Sequence, residues 1–114
     1  MDELLKQALP YDFYGELLTD HQKEIYEQFI LEDLSLGEIA RDAGISRQGV
    51  HDLVKRCDRT LQEYEEKLHL VSRFLTVKEQ IHKIREILDQ EPAEDISVLK
   101  SEIRKISDEI LEEL

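Results

Sequence analysis

From Val50 onward, apolar side chains recur at alternating spacings of four and three. The first run is Val50, Val54, Cys57, Leu61, Tyr64 and Leu68, the second Leu70, Phe74, Val77, Ile81, Ile84 and Leu88, and the third Ile96, Leu99, Ile103, Ile106 and Ile110. A side chain returns to the same side of an α-helix every 3.6 residues and to the same side of a strand every second residue, so this rhythm calls for helices. With only 4 Gly and 2 Pro among 114 residues, few backbone breakers interrupt them. An all-α fold follows. The step from Leu68 to Leu70 breaks the frame, so the first long helix must bend, restart or rotate its seam between Leu68 and Ser72. Glu91 and Pro92 close the second run, because a residue before proline is disfavoured in the helical region. Asp95 and Ile96 open the third, and two heptad helices on either side of a short connection predict a C-terminal antiparallel helical hairpin.

The first half is punctuated by caps. Residues 1–18 carry an apolar cluster, Leu4, Leu5, Leu9, Tyr11, Phe13, Tyr14, Leu17 and Leu18, interrupted by Pro10 and Gly15, which reads as a short helix and a turn. Thr19 with Gln22 three residues on has the form of a capping box. It should start a helix running to about Asp33 with Ile25, Tyr26, Phe29 and Ile30 on its buried face. Ser35 with Glu38 repeats the signal, and Leu36, Ile39, Ala40 and Ala43 give the next helix its apolar side. Gly44 ends that helix, since glycine accepts the left-handed backbone of a helix stop, and Ile45 is placed to fold back on the apolar face. Ser46 then caps a third helix. Two helices and their turn are thus written between Ser35 and Lys55.

Each position in that segment has a separate task. Ala40 must be small where the two helices cross, Ile39 fills the space between them, and Ile45, Val50 and Leu53 fix the angle of the second helix. Together with Leu36, Gly44 and Ser46 these are the structural residues of a helix-turn-helix. The outer side is left to Arg47, Gln48, His51, Asp52, Lys55, Arg56 and Arg59, the candidate nucleic-acid contacts. Arg47 and Gln48 suit guanine and adenine edges, and Lys55, Arg56 and Arg59 suit backbone phosphates. Asp52 opposes binding to a polyanion unless it accepts from cytosine or pairs with Arg56.

Charge sets limits on that reading. The formal net charge is -12, which excludes a protein whose whole surface embraces nucleic acid. The acids are concentrated at the two ends: residues 1–40 hold ten acids against two bases, and residues 86–114 ten against three, whereas residues 41–60 hold five bases against three acids and residues 61–85 five against four. Local contact with DNA is therefore permitted in the middle of the chain. No apolar run approaches the roughly 20 residues a bilayer demands, and no signal-peptide pattern opens the chain, so the expectation is a cytoplasmic protein without membrane insertion. Four histidines, His21, His51, His69 and His82, are dispersed over different helices and give no metal-ligand spacing. Cys57 lies on an apolar seam, where packing rather than nucleophilic chemistry is expected. A glycine-rich phosphate loop is absent, and nothing frames a pair of catalytic carboxylates. The expectation is a protein without enzymatic activity and without a cofactor.

Residues Thr19 to Lys55 resemble region 4 of bacterial sigma factors. The whole chain, including Leu9-Pro-Tyr-Asp-Phe-Tyr14 and Leu17-Leu-Thr-Asp-His-Gln-Lys-Glu-Ile-Tyr26, resembles the YlxM family of small bacterial proteins. That resemblance implies a sigma region 4-like helix-turn-helix unit, a DNA-binding regulatory role, and a link to the signal recognition particle pathway, with the particle's protein or RNA as a partner. The expected organisation is a helix-turn-helix unit over residues 1–60 and a heptad unit over 61–114. The seam residues Phe74, Val77, Ile81, Ile84, Leu88, Ile96, Leu99, Ile103, Ile106 and Ile110 are candidates for dimerisation or partner binding. Either an intramolecular hairpin covers the long helix, or these seams meet across a two-fold axis in a homodimer, which is the favoured expectation because the two runs expose more apolar repeat than one small domain readily hides. An adaptor that engages a protein or ribonucleoprotein through the acidic helices is the competing expectation.

Overall fold

The structure is a computed structural model that describes residues 3–90 and 95–114, with side chains from Ala8 onward. Leu4 and Leu5 of the N-terminal cluster, and Glu91 and Pro92 of the connection, lie outside the described side chains. The described residues form an all-α chain: α1 (Glu3–Tyr14), a 3-10 turn at Gly15–Leu17, α2 (Asp20–Ile30), α3 (Leu36–Ala43), α4 (Arg47–Leu68), α5 (Leu70–Asp89) and α6 (Ile96–Glu113). They divide into two compact units, 1–69 and 70–114.

The helix starts are set by local hydrogen bonding. The Thr19 hydroxyl accepts from the Gln22 amide at 3.2 Å while the Gln22 side chain accepts from the Thr19 amide at 3.0 Å, so two otherwise orphaned donors are satisfied reciprocally. Ser35 accepts from the Glu38 amide, Ser46 from the Gly49 amide and Asp95 from the Ser97 amide, at 3.2, 2.9 and 2.9 Å. Each such cap contributes about 1 kcal/mol. α2 stops at Ile30, short of the Asp33 suggested by the sequence, and Asp33 itself takes a positive φ of 54°. α1 continues through Pro10, which the sequence reads as an interruption. Pro10 is buried beside Tyr11 and Tyr14, so packing offsets the lost backbone hydrogen bond.

In the first unit, α2, α3 and α4 pack on one another and α1 packs on α4 and α2. Its centre holds Tyr14, Ile25, Tyr26, Ile39, Val50, Cys57 and Leu61, all with less than 2% of their surface exposed. Phe13 and Leu17, members of the same apolar cluster in the sequence, remain 38% and 55% exposed. Gly15 admits the Tyr11 ring: a Cβ there would stand 2.7 Å from Tyr11 Cε2. Three buried phenols each need a partner, and three acids supply one. Tyr11 of α1 donates to Glu27 of α2, Tyr26 of α2 donates to Asp58 of α4, and Tyr14 of α1 donates to Glu65 of α4 at 2.5 Å. The three helices are thereby tied pairwise by hydrogen bonds to charged acceptors, a class that contributes about 1.5–3 kcal/mol each. The Tyr11 and Tyr26 rings meet at a tilt with centroids 5.5 Å apart, and Tyr14 stacks on Tyr64 at 5.9 Å.

These clamps explain where the first unit ends. The sequence places the divide at residue 60, but Leu61 is buried and Tyr64 and Glu65 hold Tyr14, so α4 belongs to this unit along its full length. The frame shift after Leu68 is a helix stop. His69 adopts the left-handed conformation with φ 56°, and its amide closes α4 on the Glu65 carbonyl at 2.9 Å.

In the second unit α5 and α6 pack on each other. Their shared cleft is lined by Lys83, Ile87, Glu102, Lys105 and Ile106 among others. The α5 seam proposed from the sequence is divided: Val77 and Ile84 are half-buried, whereas Phe74, Ile81 and Leu88 remain 42%, 47% and 59% exposed. Gln80 and Ile87 join Val77 and Ile84 at three-four-three spacing, so the covered face of α5 is rotated away from the seam. On α6, Ile106 is buried and Leu99, Ile103 and Ile110 are half-buried, while Ile96 is 66% exposed. No helix among the described residues is long and apolar enough to cross a membrane.

Candidate nucleic-acid interface

The turn between α3 and α4 is built around one residue. Gly44 takes φ 69°, a left-handed backbone that costs a residue with a Cβ about 1–2 kcal/mol, and its amide bonds the Ala40 carbonyl at 3.0 Å. The Ile45 amide also reaches Ala40 O, at 3.2 Å, and the Ser46 cap starts α4 immediately afterwards. Ile39, Ala40, Val50 and Leu53 are buried where α3 and α4 pack together; Leu36 is half-buried, and Ile45 keeps 37% of its surface in solvent.

Burial gives α4 a definite inner side. Val50, Leu53, Val54, Cys57 and Leu61 form it. Gln48, Asp52, Lys55 and Arg59, at spacings of four, three and four, fall on the opposite side, flanked by Arg47 and His51 on one edge and Arg56 on the other. All are exposed except His51, which is half-buried. An open recess of about 360 Å³ collects Leu36, Arg47, Gln48 and His51, joining the first turns of α3 and α4. Leu36 thus reaches the outer face as well as the core, which the sequence assigned only to packing.

The stripe has internal order. Gln48 Nε2 donates to Asp52 Oδ1 at 2.9 Å. His51 Nδ1 is shielded from solvent without a hydrogen-bond partner among the described residues, 3.7 Å from Asp52 Oδ1. Asp52 therefore accepts from Gln48, one helical turn back, rather than from Arg56. Spacing of i and i+4 between a glutamine and an aspartate is the signal that could have disclosed it. Lys55 lies near enough to Asp58 to favour its ionised form, although burial dominates and raises the Asp58 carboxyl above its usual range. Cys57, fully buried behind the stripe, has its thiol pushed up to about 11 by desolvation, which disfavours the reactive thiolate. Among the described residues no three His, Cys, Asp or Glu side chains gather as a metal site would require.

Residues 1–106 match the model of the family described as "Putative helix-turn-helix protein, YlxM / p13 like". The chain belongs to this UPF0122 family. Its relatives cover most of their own lengths and of this one. A UPF0122 protein of Caldanaerobacter subterraneus is 51% identical over 87 residues, 76% of this chain and 74% of its own. One from Thermoanaerobacter sp. is 45% identical over 113 residues, 97% of this chain and 96% of its own. The UPF0122 protein YlxM of Bacillus subtilis is 40% identical over 97 residues, 84% and 88% of the two chains. UPF0122 is a helix-turn-helix family by description, and the turn at Gly44 is where this chain carries that motif.

Proposed function

We propose that this protein is a cytoplasmic, non-catalytic DNA-binding regulator that reads a duplex with the exposed side of α4. The observation that carries this reading is the opposition on one helix of a fully buried face and an outer stripe of hydrogen-bonding and cationic side chains, beginning directly after a helix-turn-helix turn. The first turns of a recognition helix meet base edges and later turns run toward the backbone. Arg47, Gln48 and His51 are thus the base-facing group, and Lys55, Arg56 and Arg59 the phosphate-facing group. Residues 1–40 and 86–114 are strongly acidic and disfavour contact with a polyanion, so in this reading the stripe on α4 carries the contact. Its regulatory target, on the strength of the YlxM resemblance, is the signal recognition particle pathway.

The test is a gel shift over a salt series with genomic duplex fragments. Binding should weaken steeply with salt, Lys55→Ala should flatten that slope by about one, and Arg47→Ala should weaken binding to the preferred fragment most. Absence of any shift at low salt overturns the proposal.

A second reading has its own observation. Ile81 and Leu88 stay 47% and 59% exposed on α5, seven residues apart on one side of the helix, an apolar stripe that a second copy would cover in a homodimer. Paired recognition helices would then have to stand about 34 Å apart to meet successive half-sites. Sedimentation equilibrium that returns only monomer at high micromolar concentration removes the dimer. In the competing adaptor reading the acidic helices engage a basic protein or ribonucleoprotein component of the particle; failure of the folded chain to retain it on a column removes that reading.

A further inference from the structure

The side-chain amide of Gln48 is oriented by its neighbour. An ionised carboxylate only accepts hydrogen bonds, so the end of the Gln48 amide that faces Asp52 at 2.9 Å must be the NH₂ group, and Oε1 is turned away from it. Without such a partner a glutamine can rotate its terminal amide and show a donor or an acceptor at the same place. With one hydrogen of Nε2 committed to Asp52, Gln48 on the exposed side of α4 keeps Oε1 and one N–H for a base. Adenine offers the complement in the major groove, a donor at N6 beside an acceptor at N7. Guanine offers two acceptors, O6 and N7, and would set its O6 against Oε1. Neighbouring Arg47, which has donors only, cannot make that distinction against guanine.

We propose that Asp52 is a specificity-determining positioning residue, which pins the Gln48 amide so that α4 reads adenine in preference to guanine at one base pair of its site. This rests on the reading of α4 as a DNA-recognition helix. It also resolves the presence of a carboxylate in a stripe meant for a polyanion: Asp52 lowers overall affinity through its charge and adds discrimination through its neighbour.

The experiment uses the full chain and a library of duplexes with a random 20-base-pair centre, selected at low salt. The best duplex and its single A·T to G·C replacements are then measured with wild type, Gln48→Ala, Asp52→Ala and Asp52→Asn. Wild type is expected to prefer A·T by about tenfold at one position, and Gln48→Ala should abolish that preference. Asp52→Ala should bind the selected duplex as tightly or more tightly, yet lose most of the preference at the same position while keeping those elsewhere. Asp52→Asn, which can donate as well as accept, should behave likewise. Asp52 is exposed, and helical circular dichroism should confirm that each variant keeps its fold. Full retention of the preference in Asp52→Ala overturns the positioning role alone, as does a Gln48-dependent position that favours any base other than adenine. Selection of no duplex at all overturns the DNA-reading of α4 together with it.

Discussion

Residues 1–69 and 70–114 are made from the same kind of amphipathic helix, and they use it differently. Thirteen of the buried apolar side chains among the described residues lie in the first unit and two, Val71 and Ile106, in the second. The first unit interlocks four helices around tyrosines whose hydroxyls are bonded across helix pairs. The second is a pair of helices, and a pair can cover only one side of each. A three-four rhythm of apolar residues therefore reports that a helix has partners to meet, without saying whether the chain itself supplies them.

Mutations can sharpen this contrast. The largest effect is expected from Leu61→Ala, which leaves a cavity in place of a side chain only 1% exposed: a loss of about 2–5 kcal/mol in urea denaturation. Ile81→Ala on α5 should lose well under half of that, because nearly half of its surface is already in water. Equal losses would break the comparison. Tyr26→Phe keeps the ring and removes the hydroxyl that Asp58 accepts from; a loss of about 1.5–3 kcal/mol is expected by the same measurement. Gly44→Ala should cost about 1–2 kcal/mol through its positive φ alone, with helical content unchanged.

A pH experiment probes the same clamps. Burial, and then the carboxylate each one bonds, raise the phenols of Tyr11 and Tyr26 above their usual value near 10. The folded chain keeps those protons where the unfolded chain releases them. The stabilisation is therefore complete below pH 10 and is lost as pH rises above it, with a slope of about 1.4 kcal/mol per pH unit for each such tyrosine. Tyr26→Phe should reduce the slope of the alkaline limb by one such increment. The smallest effect belongs to Leu88→Ser, at a position 59% exposed, where a change within about 0.5 kcal/mol is expected for the monomer. A larger loss that grows with protein concentration would show that a second copy covers the stripe.

What the sequence discloses is what neighbouring residues decide. Thr19, Ser35, Ser46 and Asp95 cap their helices and Gly44 turns the chain because each bonds or bends within a few residues of itself. The stop at His69 is half legible: the broken frame marks the place, but a histidine gives no sign of a left-handed backbone. The tyrosine clamps were hidden, since their partners lie 16, 32 and 51 residues away, and an acid-rich segment reads as solvated surface until a phenol is found against it. Within the candidate interface, the outward positions of Arg47, Gln48, Lys55 and Arg59 follow from helical spacing. The bond from Gln48 to Asp52 lies at the same kind of spacing, a glutamine four residues before an aspartate, but Arg56 stands equally four residues beyond Asp52 and competes for it in the sequence.

α4 runs for 22 residues, about 33 Å. Its rear half is fastened by Tyr26 at Asp58 and by Tyr14 at Glu65, while its front half carries the outward stripe. The front half is held as well, by Val50, Leu53 and Val54 in the core beside α3, so the phenol bonds are a second set of fixings on one continuous rod. Tyr14 and Tyr26, on α1 and α2, are thereby joined through a single helix to the segment that carries Arg47 and Gln48.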